Sequence, residues 1–207
     1  GDCIALAMDV LEESQVEAVI AQTIGHFGSF DILVNNAGIG YLMKALVDIE
    51  VSEWDAVLGV NLRGSFLCTK HGARAMIAQG RGGQIINIAS QAAKSAFPFA
   101  AAYCSSKHGL VGLTRVSALE LGQHGIRVNA VCPNHVTTGL GAWQNEYFAK
   151  AQGVSVDEYL AAMRKRIPLG RPGLASDTAN ACAFLCSDDA QYMTGEAINV
   201  SGGEENH

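Results

Sequence analysis

The sequence predicts a doubly wound α/β fold built on a parallel sheet, and three observations carry that expectation. Short β-branched runs alternate with longer stretches of helical periodicity. The strand-like runs are continuously apolar instead of alternating, which is the pattern of strands covered on both faces. No repeat, low-complexity tract or linker divides the 207 residues, so residues 1–207 read as a single domain.

The elements follow in order. Residues 3–8 read as a strand, and 14–27 as a helix with Val16, Val19, Ile20 and Ile24 on one side. Residues 32–35 form a second strand. A long helix is expected over 53–78, announced by a capping box in which Ser52 stands three residues before Asp55. After the turn Gly80-Arg81-Gly82-Gly83 come a strand at 84–88, a helix at 101–121 and a strand at 127–131. A longer stretch, 136–169, precedes a helix near 176–186 and a last strand at 197–200.

Composition excludes several functions. Net charge is −6, from 14 basic and 20 acidic residues, so nucleic acid is not an expected partner. No apolar run approaches the roughly 18 residues of a membrane span, and residues 1–9 lack the basic region and cleavage site of a signal peptide. The six cysteines lie in apolar stretches without a CxxC pair, which reads as reduced, buried thiols in a cytoplasmic protein. Glu204, Glu205 and His207 read as a solvated tail, and no metal site is expected. His26, His71, His108 and His124 read as helix-surface or interface residues.

In doubly wound folds ligands sit beyond the carboxyl ends of the strands. Ser90 stands just past 84–88, and thirteen residues on come Tyr103 and, four later, Lys107. Positions four apart share a helix face. Oxidising an alcohol by hydride transfer needs a base for the hydroxyl proton, and the reverse reaction needs the same group as an acid. A phenol with a pKa near ~10 is a poor base at neutral pH. An ammonium ~4 Å away, at an effective dielectric near ~20, favours the phenolate by roughly 4 kcal/mol. Alone, such a pair is common by chance. Here Asn35-Asn36-Ala37-Gly38 follows a strand with residues small enough for close approach of a ligand, and Asn61 interrupts the apolar pattern of the long helix.

With Asn-Asn-Ala-Gly after a strand, Asn61, Ser90, Tyr103 and Lys107 in order, Arg127-Val128-Asn129-Ala130-Val131-Cys132-Pro133, Tyr192-Met193-Thr194-Gly195 and Ser201-Gly202-Gly203, the chain resembles the short-chain dehydrogenase/reductase family over its whole length. The resemblance implies a Rossmann-type domain, NAD or NADP as cofactor and a small alcohol or ketone as substrate. It implies that Tyr103 is the acid/base, that Lys107 lowers its pKa and bonds the nicotinamide ribose, that Ser90 orients the substrate oxygen, and that Asn61 holds a water of a proton relay. It places Asp9 and Val10 at the adenine, Asn36, Ala37 and Gly38 at the ribose, and Pro133, Val136 and Thr138 at the nicotinamide carboxamide. A homotetramer is implied as well, with helices 53–78 and 101–121 across one interface.

Two departures from the family stand out. Asn134 follows Pro133 where Gly is usual, and Asn is the best non-glycine substitute in a left-handed turn. The family's opening strand, Gly-rich turn, helix, second strand and further helix precede the segment matching residues 3–9; no counterpart is present, so about 50 residues of a longer enzyme are expected to be absent, with two unpaired strand edges as the result.

Residues 136–169 are where the family encloses its substrate. Trp143, Tyr147, Phe148 and Tyr159 offer apolar walls, and His135, Gln144 and Asn145 offer hydrogen bonds. Tyr147-Phe148-Ala149-Lys150 and the run 166–171 look similar to polyol and acetoin/butanediol dehydrogenases, so a sugar alcohol or small vicinal diol is the expected substrate. The alternatives are a 3-oxoacyl-carrier-protein reductase and a non-catalytic binding or scaffold protein.

Overall fold

The computed structural model describes residues 1–40 and 43–205. In chain order its elements are α1 (Glu13–Phe27), β1 (Ile32–Asn35), α2 (Val51–Leu58), a π-helical segment (Gly59–Gly64), α3 (Ser65–Gln79), β2 (Gly83–Ile88), α4 (Ala101–Leu121), β3 (Ile126–Pro133), α5 (Gly139–Ala151), α6 (Val156–Arg166), α7 (Ala175–Cys186) and β4 (Ala197–Val200). The strands form one parallel sheet in the order β1-β2-β3-β4, with Val34 opposite Ile86, Ile86 opposite Asn129, and Val131 opposite Ile198.

Adjacent residues of β2 show why the strands are apolar throughout. Ile85 packs with Ala73 and Met76 of α3 and Ala118 of α4, whereas Ile86 packs with Leu185 of α7 on the opposite face. Both isoleucines are buried. A second layer forms where Val16 and Ile20 of α1 meet Leu67 and Cys68 of α3. A polar rung crosses the sheet as well. Asn35 donates from Nδ2 to Asn87 Oδ1 (2.7 Å) and Thr69 Oγ1 (2.9 Å), and Asn87 donates to Thr114 Oγ1 (2.8 Å). These buried amides are paired, which is what permits them in the interior.

Five expectations are corrected. Residues 3–8 form no strand: Ile4, Leu6 and Met8 are exposed, and an apolar run becomes a strand only when a neighbour takes its backbone hydrogen bonds. The capping box lies two residues earlier, with Glu50 as N-cap and Glu53 returning its carboxylate to the Glu50 N–H at 3.0 Å. His71 is buried against Glu13 (2.8 Å) and Glu17 (3.3 Å), not on the surface. Glu204 is largely covered, its carboxylate meeting His135 and Arg166, so the tail is not solvated; His207 lies outside the described residues. The cysteines are all free; Cys68, Cys104 and Cys132 are buried as expected, whereas Cys3 is exposed and Cys182 and Cys186 are half-buried. No described helix is long and apolar enough to cross a membrane.

Candidate active site

The carboxyl ends of β2 and β3 open into a cavity of about 550 Å³, within the usual range for a small-molecule site. Ser90, Tyr103 and Lys107 line it together with Asn36, Gly38, Pro133, Val136 and Thr138. The sheet end therefore brings together most of the residues that sequence reasoning singled out.

Ser90 lies two residues beyond β2 and caps the short 3-10 turn Gln91–Ala93, accepting from the Ala92 N–H at 3.1 Å. Its side chain also hydrogen-bonds Tyr103, which sits in the first turn of α4. One turn on, Lys107 donates from Nζ to the Ile88 carbonyl at 2.8 Å, and Nζ stands 5.7 Å from the Tyr103 ring centroid. Burial pushes the Tyr103 phenol above its ordinary value, with the Ser90 hydrogen bond pulling the other way. In the protein alone the lowering comes from Ser90, and Lys107 is not among the groups that shift the phenol. Burial also pushes the Lys107 ammonium down to about 8.

Asn61 lies in the π-helical segment and is fully buried. Its Oδ1 accepts from the Ile39 N–H (2.8 Å), while its Nδ2 donates to the Ile39 carbonyl (3.0 Å) and to Ser106 Oγ (3.1 Å). Ser106 donates in turn to the Tyr103 carbonyl (2.7 Å), so Asn61 ties the loop after β1 to the first turn of α4. It is not among the residues facing the cavity.

The nicotinamide and ribose end of a dinucleotide fits this arrangement. Gly38 leaves open the space beside Lys107, since a Cβ there would stand 3.3 Å from Asn61 Oδ1 and 3.8 Å from Lys107 Nζ. Only one of the three ammonium donors is spent on Ile88. Asp9 and Val10, expected at the adenine end, lie outside this cavity: the Asp9 carboxylate accepts from the Leu11 N–H (2.9 Å), and Val10 packs on Gly64. Ala37 is exposed and does not line the cavity.

The left-handed residue after β3 is His135 (φ 46°), not Asn134. Asn134 instead donates from Nδ2 to Glu204 Oε2 at 3.0 Å, a bond a glycine could not make. Beyond β3, α5 and α6 are stapled by stacking of Phe148 on Tyr159 (centroids 6.0 Å apart), and both rings line the cavity with Gln144 and His135. Trp143, Tyr147 and Asn145 do not; Tyr147 donates to the Met43 carbonyl at 3.2 Å. Sequence reasoning missed Ile39, Gln91 and the run Phe97-Pro98-Phe99. The signal for the last was available: an aromatic-proline cluster inside the gap between Ser90 and Tyr103 has little to cover except the space those two residues share.

The chain matches the family described as Enoyl-(Acyl carrier protein) reductase over residues 1–205. A short-chain dehydrogenase/reductase of Armillaria gallica is 42% identical over 94% of this chain and 73% of its own length. Galactitol 2-dehydrogenase of Agrobacterium fabrum is 37% identical (96% and 77% covered), and a 3-oxoacyl-[acyl-carrier-protein] reductase of Staphylococcus aureus is 39% identical (98% and 77%). Among solved structures, sorbitol-6-phosphate 2-dehydrogenase from Erwinia amylovora superposes with a TM-score of 0.93 at 32% identity, covering 98% of this chain and 79% of that one. An NAD+-bound xylitol dehydrogenase gives 0.89 at 32% identity, covering 96% and 78%. Matched in sequence and in fold across nearly its whole length, the chain belongs to the short-chain dehydrogenase/reductase family, whose members are NAD(P)-dependent oxidoreductases.

Proposed function

We propose that this protein oxidises one secondary hydroxyl of a polyol or small vicinal diol to a ketone, and catalyses the reverse reduction, with NAD or NADP. The observation that carries this reading is the lining of one cavity by Ser90, Tyr103 and Lys107 together with Gln91, Asn134, His135 and Gln144. Thr178 Oγ1, buried without a protein partner, belongs to a residue lining the same space. A site for a plain hydrocarbon alcohol would have no use for so many polar groups.

In this reading Tyr103 accepts the hydroxyl proton as the carbinol carbon gives up its hydride, and Ser90 hydrogen-bonds the same oxygen. When bound, the oxidised nicotinamide supplies the hydride acceptor and a positive charge. Burial is the main influence that holds the Tyr103 proton in place, so added positive charge beside the ring is what makes the phenolate accessible. Lys107 contributes its ammonium and has two further donors for ribose hydroxyls. Asn61 holds the Ile39 loop and the first turn of α4 in register, and its role as the anchor of a relay water is part of the proposal. The exposed apolar side chains Phe66, Val116 and Leu119 on α3 and α4 support a homotetramer, which light scattering would test.

The test is a panel of polyols, diketones and acyl thioesters assayed with both cofactors on the full-length protein. Oxidation of polyols or diols, abolished in Tyr103→Phe, is expected. Activity confined to acyl thioesters would overturn the reading in favour of carrier-protein chemistry, which the Staphylococcus relative supports.

A further inference from the structure

The chain beyond β4 turns back towards the cavity through Gly202 (φ 64°) and Gly203 (φ 92°). A Cβ on Gly202 would stand 2.7 Å from Ile167 Cγ2, so the turn lies hard against the loop that ends α6. Ser201 then holds the tail, donating to the Glu205 carbonyl (2.9 Å) and accepting from the Glu205 N–H (3.3 Å). This delivers two consecutive carboxylates to side chains that line the cavity, Glu205 to Gln91 and Glu204 to Asn134 and His135.

Each carboxylate takes the donor of a cavity-lining side chain. Gln91 Nε2 donates to Glu205 Oε1 at 2.7 Å and to Ser95 Oγ at 2.6 Å, which uses both of its N–H groups. Turning that amide over would set its oxygen against the carboxylate, acceptor facing acceptor. Gln91 Oε1 is thereby left as the group available to the cavity. Glu204 Oε2 lies 3.1 Å from His135 Nε2 and accepts from Asn134 Nδ2 at 3.0 Å, while Glu204 Oε1 accepts from Arg166 Nε at 3.2 Å. A carboxylate can only accept, so its approach to Nε2 favours the tautomer with the proton on Nε2 and the lone pair on Nδ1. Burial favours the neutral ring, with Arg166 acting in the same direction and Glu204 and Glu205 against it.

We propose that Glu204 and Glu205 are positioning residues that fix the hydrogen-bond polarity of the substrate wall, leaving Gln91 Oε1 and His135 Nδ1 as acceptors that select a substrate with a second hydroxyl beside the reacting carbon. The inference rests on the polyol reading and deepens it. A neighbouring hydroxyl donates to Gln91 Oε1 and His135 Nδ1, whereas a second ketone oxygen or a thioester carbonyl would set acceptor against acceptor at those two atoms.

The experiment compares kcat/KM for butane-2,3-diol with that for butan-2-ol in the full-length protein and in Glu204→Gln, Glu205→Gln and Gln91→Met, with thermal unfolding as the check on folding. The amide of Glu205→Gln can donate, so Gln91 is free to turn over and the diol preference is expected to fall about tenfold, the worth of one hydrogen bond. Gln91→Met is expected to lose the same factor, and the double variant no more than that. A preference retained in both glutamate variants overturns the positioning role and leaves the polyol reading standing. A wild-type protein that does not prefer the diol overturns both. If neither glutamate variant folds, Gln91→Met decides, and an unchanged ratio there overturns the inference.

Discussion

Lys107 donates from Nζ to the carbonyl oxygen of Ile88, 2.8 Å away, so the ammonium is tied to the last residue of the strand that leads to Ser90. The bond fixes the lysine between β2 and α4, in a place where burial works against its charge.

Replacing Lys107 by Met is expected to abolish activity and yet stabilise the fold. A pKa lowered from 10.5 to about 8 corresponds to roughly 3 kcal/mol at about 1.4 kcal/mol per unit, from which the Ile88 hydrogen bond takes back about 1. A gain of about 2 kcal/mol at pH 7 should appear in urea unfolding. Between the folded value near 8 and the unfolded value near 10.5, the unfolded chain holds a proton that the folded chain lacks. Wild-type stability therefore rises with pH across that window, and its gap to Lys107→Met closes.

The same ionisation sets an alkaline limit on the reaction. The pH profile of kcat/KM reports groups of the free enzyme, so a descending limb near pH 8 is expected as the Lys107 ammonium is lost. Lys107→Arg, which keeps its charge to much higher pH, should remove that limb from whatever activity it retains.

Asn61→Ala should cost about 3 kcal/mol, because it leaves the Ile39 N–H, the Ile39 carbonyl and Ser106 Oγ without their buried partner. Asn61→Asp should be worse, since a carboxylate would face the Ile39 carbonyl where a donor now stands. Urea unfolding separates the two, and both should lose activity as the loop carrying Gly38 comes loose beside Lys107.

Gly141→Ala tests the loop that follows β3. Its Cβ would lie 2.1 Å from the Val136 carbonyl, a backbone atom that cannot yield without moving the loop. A loss of roughly 1–3 kcal/mol is expected, with a raised KM for cofactor. Gly139→Ala, two residues earlier in α5, meets nothing within 4 Å and should be neutral or slightly stabilising.

Much of this site was legible in the sequence because its parts obey local rules. Tyr103 and Lys107 are one helical turn apart, Ser90 follows an apolar strand, and β1, α4 and β4 fall where periodicity puts them. Residues 3–8 misled because a short apolar run suggests a buried strand, whereas a ladder needs a partner. His135 takes the left-handed position expected of Asn134, and both side chains meet Glu204, about seventy residues on, a contact that local sequence does not announce. The tail carboxylates look solvated in the sequence for the same reason: a contact between Glu205 and Gln91 spans 114 residues, and no local pattern announces it.

The π-helical segment Gly59–Gly64 has a further consequence for how the chain can vary in length. Its wider turn holds an extra residue, so the apolar stripe of α2 does not continue in phase into α3. Deleting one residue between 59 and 64 would let the whole span close into an unbroken α-helix, a gain in local regularity. It would also swing Asn61 about 100° around the axis, away from Ile39 and Ser106. At this one point the irregular helix is the working one, and a gap placed there in an alignment marks a change of site geometry, not of a loop.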